Sequence, residues 1–313
     1  MELRQLRYFV TIVDYGSISR ASGILHIAQP ALSHQLQLLE RDLEAPLLHR
    51  SSRGVTPTEA GKKFYQHAQA ILKQVLDARA SVTQTTNNPT GTVALGIPQS
   101  VSGVLALPLL KAVHERYPSV TLQLTEELTA NLVEPIKSGR LNLAILFDER
   151  QYPTLSVTPL VEEELVFITP AGVSHVVDNN PIELAAALSS RLILPDKRNG
   201  VRPIIDSAAS DSSIELRDVV EINSVTILRS ALLADIGATI APASAFISDL
   251  ESGALRSQVI SDKLLSRRLM LCASKNIPLS DGAIAIKNLV RTVVVDLCLR
   301  GVWAHTHLLY APD

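Results

Sequence analysis

The 313-residue sequence holds only two cysteines, Cys272 and Cys298, each flanked by apolar residues. That scarcity excludes a disulfide framework and any paired Cys-x-x-Cys motif, and leaves the two thiols as small buried side chains. No apolar run approaches the roughly 20 uninterrupted residues of a membrane span. The opening residues Met1-Glu2-Leu3-Arg4-Gln5 lack the basic start and apolar block of a secretory signal, so the expected location is cytoplasmic, away from any membrane. Catalytic signatures are missing too: there is no Gly-x-Ser-x-Gly elbow and no Gly-x-x-x-x-Gly-Lys-Ser/Thr loop. His305 and His307 stand two apart without a cysteine or carboxylate cluster to complete a metal site. The expectation is a protein that is not an enzyme and carries neither cofactor nor metal.

What is present is a large apolar fraction, 46%, enough to bury the cores of two or three folded units. The net charge of −2, from 29 Lys/Arg and 31 Asp/Glu, argues by itself against a nucleic-acid partner, but it is unevenly spread. Residues 1–87 carry ten basic against seven acidic side chains, leaving nineteen against twenty-four for the remainder; His26, His34, His49 and His67 also lie in this head. A mildly basic head on an acidic body suits a separate DNA-binding unit.

Along the head, Leu3, Leu6, Phe9, Val10 and Val13 recur at helical spacing until Gly16 breaks the pattern. Ser17 can cap a short second helix bearing Ile18, Ala21 and Leu25. A third helix opens near Pro30, with Leu32, Leu36, Leu39 and Leu43 on one face and Gln29, Ser33, His34, Gln37 and Arg41 on the other. Leu47–Arg50 and Val55-Thr56, joined through Ser51-Ser52-Arg53-Gly54, read as a two-stranded wing. Thr58 then caps a long helix whose face Ala60, Phe64, His67, Ile71, Val75, Ala78 and Val82 wants a partner, most simply a second copy.

From Gly91 onward strand and helix patterns alternate. Strands are expected at 92–97, 120–125, 141–147, 164–169, 191–194, 219–222, 238–241 and 267–273, with helices between most of them, which implies α/β architecture with largely parallel sheets.

The run Ala28-Gln29-Pro30-Ala31-Leu32-Ser33-His34-Gln35-Leu36, with Leu38-Leu39-Glu40, Leu43, Leu47-Leu48, Arg50, Arg53-Gly54-Val55 and Thr58-Glu59-Ala60-Gly61, resembles the helix-turn-helix signature of the LysR-type transcriptional regulators. Leu25 to Ser33 and Arg53 to Thr58 further resemble the nitrogen-assimilation-control subgroup. The sequence departs from the family's usual residues at Ala28, His34, Ala45 and Leu48; His34 bears on base preference, since a neutral imidazole cannot read guanine with two parallel donors as arginine does.

The resemblance implies an α+β multidomain protein: a winged helix-turn-helix (residues 1–58), a linker and dimerisation helix (59–87), a hinge (88–91), and a two-lobed α/β domain similar to type 2 periplasmic binding proteins. Lobe I spans 92–163 plus 267–300, lobe II spans 164–266, and 301–313 form a tail. It also implies homodimers assembling into tetramers, promoter DNA and the transcription machinery as partners, and a small-molecule effector, a carboxylate among the candidates, although some relatives act without one.

On this reading Gln29, Pro30, Ser33, His34 and Arg53 contact bases, the last in the minor groove, while Ser17 and Arg50 hold phosphates. Taken alone, the polar stripe is an ordinary solvated helix face and Arg50 a surface cation; the surrounding signature favours the DNA assignment. For the effector the resemblance points to Ser100, Ser102, Thr129, Val201, Arg202 and Asn223. Plain helix capping is the alternative for the hydroxyls, and an ion pair with Asp196 or Asp206 is the alternative for Arg202. An enzyme or solute carrier of the binding-protein fold would account for residues 92–300 but leave the head unexplained.

Overall fold

The computed structural model describes residues 1–51, 54–83, 89–147, 152–172, 181–197 and 200–310. Residues 1–83 form one compact unit; the chain from residue 84 onward, apart from the turn Ser138–Arg140, forms the other.

The head contains α1 (Leu3–Tyr15), α2 (Ile18–Leu25), α3 (Gln29–Asp42), the antiparallel strands β1 (Leu48–Ser51) and β2 (Gly54–Pro57), and α4 (Glu59–Thr83). Local chemistry sets these boundaries. The Ser17 hydroxyl accepts from the Arg20 amide at 3.3 Å and Thr58 Oγ1 accepts from the Gly61 amide at 2.9 Å, each satisfying a first-turn donor. Leu6, Phe9 and Ile12 of α1, Leu32, Leu36 and Leu39 of α3, and Ala68 of α4 close one core. Leu3, placed on the packed face by its spacing, is exposed, and Ile12 is buried instead. Tyr65 on α4 donates to the Asp14 carboxylate on α1; burial and this acid push its phenol up to about 12, so it remains a donor throughout the physiological range.

Two glycines are required by clearance. A Cβ on Gly61 would lie 2.0 Å from the Leu47 carbonyl oxygen, so α4 crosses the base of the wing with room for hydrogen alone. Gly54, at φ 123°, sits where a Cβ would meet the Gly16 carbonyl oxygen at 2.5 Å.

The body begins with β3 (Gly91–Pro98), α5 (Gln99–Arg116), β4 (Val120–Glu127), α6 (Thr129–Lys137) and β5 (Leu143–Phe147). The long β6 (Leu155–Pro170) follows, then α7 (Leu184–Leu188), β7 (Leu192–Leu194), α8 (Val201–Asp211), β8 (Val219–Glu221), α9 (Val225–Leu233) and β9 (Thr239–Pro242). A 3-10 turn (Ala243–Phe246), α10 (Ile247–Glu251), β10 (Leu255–Gln258), β11 (Ser266–Ser274), α11 (Asp281–Leu299) and β12 (Thr306–Leu308) complete it.

Among the described residues, parallel ladders join β3 with β4 and β5, and β7 with β8, and isolated parallel bridges join Ile182 with Ile260 and Leu192 with Ala238. Elsewhere the expectation of parallel sheets fails, because β6 and β11 carry the chain between lobes in opposite directions. They pair antiparallel with each other, and β9, β10 and β12 pair antiparallel with β6. The first half of β6 belongs to a core with Leu95, Ile145 and Leu269; the second half belongs to cores holding Ile205, Ile240 and Phe246. Residues 301–310, expected as a tail, are built into the first lobe, where Trp303 is buried and β12 lies along β6. Among the described residues no helix is long and apolar enough to cross a membrane.

Gly61→Ala is expected to destabilise the head by about 2–3 kcal/mol through backbone overlap. Gly23→Ala, in α2 with no atom within 4 Å of the new Cβ, should instead stabilise by about 0.5–1 kcal/mol. Urea unfolding of the two variants checks the opposite signs.

Candidate functional site

The head presents a surface built on α3. Its leucines turn inward, so Gln29, Pro30, His34, Gln37 and Arg41 stand exposed along the opposite face, with Ser33 half-buried beside them. Pro30, His34, Gln37 and Arg41 follow one another by four, three and four residues, the spacing of a single helix face, and Gln29 and Ser33, four apart, lie beside them. Pro30 lies in the first turn of α3, where no amide donor is needed. Ser17 is half-buried, with its hydroxyl engaged at the start of α2; Arg20, which the sequence reading did not single out, is exposed in the same turn. On the wing His49 and Arg50 are exposed on β1, while Arg53 lies outside the described residues.

Glu40 orients the wing relative to α3. Its Oε1 accepts from the Leu47 and Leu48 amides at 2.8 and 3.2 Å, and its Oε2 lies 3.9 Å from Arg50 Nη2. The carboxylate thus fastens the first wing strand to the helix that presents the polar stripe. The Arg50 contact is too long and too exposed to hold the guanidinium in place, which leaves it available to a phosphate.

In the body a cavity of about 60 Å³ lies between the lobes, where β3, β4 and β5 end on one side and α8, α9 and β9 begin or end on the other. Ser100, Thr129, Val201 and Asn223 line it. Ser102 does not, and its hydroxyl donates to the Gln99 carbonyl within its own helix at 3.0 Å. Asn223 is already bonded in both senses to Asp196: its Oδ1 accepts from the Asp196 amide and its Nδ2 donates to Oδ2, each at 2.9 Å.

The expectation that Arg202 grips an acid needs correction. Its guanidinium is turned away from the cavity lining and donates to Asp206 at 2.7 Å, to Glu221 at 2.9 Å and to the Pro195 carbonyl at 3.0 Å. The i,i+4 spacing to Asp206 on α8 and the neighbouring β8 satisfy it within lobe II, so it ties α8 to the sheet.

Among the described residues, the cation that does reach the cavity is Arg267, which the sequence reading left at a lobe boundary. It stands directly opposite Glu163 in the β6–β11 register, so both side chains share one face. Both are buried; Arg267 Nε and Nη2 donate to Glu163 Oε2 at 2.8 and 2.6 Å. Glu163 Oε1 accepts from Trp303 Nε1 at 2.8 Å and from the Ser244 hydroxyl. Arg267 Nη2 also donates to Ser100 Oγ at 3.0 Å, and its guanidinium carbon lies 4.1 Å from the Phe147 ring centre. The available signal was the charged triplet Glu162-Glu163-Glu164 and the pair Arg267-Arg268 inside otherwise apolar strands.

Neither thiol is suited to redox sensing. Burial pushes Cys272 up to about 12, and burial also raises Cys298, so both remain protonated near neutrality. His307 on β12 faces Glu164 at 3.2 Å, and His305 occupies left-handed backbone at φ 57°. Among the described residues no three His, Cys, Asp or Glu side chains gather as metal ligands.

Comparison with known proteins agrees with this two-part layout. Residues 3–62 match the family described as bacterial regulatory helix-turn-helix protein, lysR family, and residues 86–294 match the LysR substrate binding domain. The chain is 34% identical over 295 residues, covering 94% of it and 95% of the relative, to the nitrogen assimilation regulatory protein nac of Klebsiella aerogenes. A full-length OxyR variant from Pseudomonas aeruginosa shares the fold at a TM-score of 0.72 and 21% identity, covering 100% of this chain and 99% of that one. Full-length CbnR complexed with its target DNA gives 0.69 at 22% identity, covering 94% and 100%.

Glu40→Ala is expected to free the wing without unfolding the helices, at a cost of about 1–3 kcal/mol for the two unpaired amides. Hydrogen exchange should accelerate selectively at Leu47 and Leu48; unchanged protection there would contradict the role given to Glu40.

Proposed function

The chain belongs to the LysR family of bacterial transcriptional regulators, and from that premise we propose a division of labour along it. It is a DNA-binding transcriptional regulator and not an enzyme. Residues 1–58 read promoter DNA, 59–87 pair two copies, 88–91 form the hinge, and the two-lobed body answers to a small effector held between lobe I (92–163 with 267–300) and lobe II (164–266). The observation that carries this reading is the exposed face of α3, where Gln29, Pro30 and His34 stand free of the core on a helix whose leucines fix its orientation. A helix so mounted can enter a major groove by its N-terminal half, with Gln29, Ser33 and His34 toward base edges and Pro30 against an apolar group such as a thymine methyl. Arg53, by its place in the sequence between the two wing strands, is the residue assigned to the minor groove, and Ser17 and Arg50 position the head on phosphates.

The exposed side of α4 supports self-association. Ile71, Val75, Ala78 and Val82 recur by four, three and four, and Val82 is 86% and Ile71 37% exposed. Such a stripe on a 25-residue helix is a dimerisation surface, and further pairing into tetramers follows the family's habit. The site of action is the cytoplasm, with the transcription machinery as partner. An effector alters promoter binding only by favouring one arrangement of the lobes over another.

Sequence-selective retardation of a promoter fragment that weakens steeply with salt tests the reading; indifference to sequence and salt would overturn it. Ser33→Ala and His34→Ala are expected to relax base preference, by about 1–3 kcal/mol of discrimination at the affected position, while Arg50→Ala weakens binding to all sequences and lowers the salt slope by about one. Equal loss of discrimination in all three contradicts this assignment. Ile71→Asp with Val82→Asp should shift the sedimentation of the full chain toward monomer, a result an unpaired helix would not give.

A further inference from the structure

On the reading that the interlobe cavity is the effector site, we propose that Ala243–Ile247, the 3-10 turn together with the first residue of α10, is a strap by which lobe II latches onto lobe I, and that its opening is what lets the lobes change position. The ends of the strap belong to lobe II. Pro242, immediately before it, pairs with Leu165 on β6, and Asp249, two residues beyond it, accepts from Arg229 Nε and Nη2 of α9 at 2.6 Å each. Ala243 and Phe246 are buried in the lobe II core with Leu228 and Leu232.

The middle of the strap reaches across to lobe I. The Ser244 hydroxyl donates to Glu163 Oε1 and lies 3.1 Å from the Ser100 carbonyl, both of them lobe I acceptors. The Ser244 carbonyl oxygen lies 3.4 Å from where a Cβ on Gly103 would stand, so the strap rests on α5 at a position without a side chain. Ile247, next to Phe246, packs against the lobe I core instead. Adjacent side chains thus enter two different cores, and any change of angle between the lobes has to withdraw Ile247 or break the Ser244 bond. One hydroxyl and one half-buried aliphatic chain are a small holding force, suited to a latch that opens. Ala245 and Phe246 also line the cavity, so the segment that holds the lobes together touches whatever occupies it.

The protein carries its own reporter in its one tryptophan, since Trp303 is buried and donates to the same Glu163 oxygen as Ser244. Acrylamide quenching of its fluorescence in the full-length protein should rise at least about threefold in Ser244→Ala and in Ile247→Ala, as water gains access to that oxygen. Leu250→Ala is the matched control. Leu250 also lies on α10 but packs half-buried against the lobe II core, so its truncation lowers the urea midpoint as Ile247→Ala does and leaves the latch closed, with quenching unchanged. On a promoter fragment, Ser244→Ala and Ile247→Ala should shift the footprint boundaries with no small molecule added, and Leu250→Ala should not. Unchanged quenching in both latch variants, or an equal rise in Leu250→Ala, overturns the latch and leaves the effector site standing. Increased quenching in the two latch variants with the footprint of the unaltered protein upholds the latch, and it is then the reading of the body as an effector-controlled unit that fails.

Discussion

Removing Glu163 and Arg267 from water costs several kcal/mol for each charge, and that cost is offset only where the remaining lone pairs and N–H groups are matched. Both side chains meet that condition. Arg267 gives two donors to one carboxylate oxygen, Trp303 and Ser244 fill the other, and Ser100 and Phe147 engage the guanidinium from lobe I. The partners come from α5, β5, β6, the 3-10 turn after β9, β11 and the segment after α11, so one pair of charges gathers six parts of the chain at the place where the lobes meet. Ser244 belongs to lobe II and Trp303 to the C-terminal segment packed on lobe I. Separating the lobes at Ser244 would cost this buried carboxylate oxygen one of its two donors, a penalty of about 1–3 kcal/mol.

A different constraint shapes the head. Fully buried leucines at 32, 36 and 39 fix the rotation of α3, and the Glu40 carboxylate fixes the wing against that same helix. Orientation is therefore set from the inner face, and the outer face is left to residues that contribute nothing to the core. That separation explains why a substitution such as histidine at position 34 can alter what is read without altering what is folded.

The head was legible in the sequence because its rules are local: Ser17 and Thr58 announce helix starts, the leucine period announces a buried face, and Ser51 to Gly54 announce a turn. Legibility fell where partners are far apart along the chain. The strand at 164–169 was visible, but its extension back to Leu155 and its antiparallel match to β11 depend on register with residues about a hundred positions later. Period two puts Glu163 on the face opposite Glu162 and Glu164, and nothing local says which face is buried. Trp303 was assigned to a tail for the same reason. At Arg202 the plain alternative of a pair with Asp206 describes the geometry, whereas Asp196 pairs with Asn223 instead.

Coupling between an effector cavity and a distant DNA surface commonly amounts to about 1–3 kcal/mol, no more than one hydrogen bond to a buried carboxylate. Arg267 and Ser100, on the cavity lining, belong to that network. Arg267 touches the cavity with one edge and Glu163 with the other, and Glu163 lies on β6 between β11 and β12. A ligand that draws Arg267 or Ser100 even slightly toward itself changes the matching of the carboxylate behind them, and with it the relative stability of the lobe positions. Differential affinity of this size is all that a population shift requires.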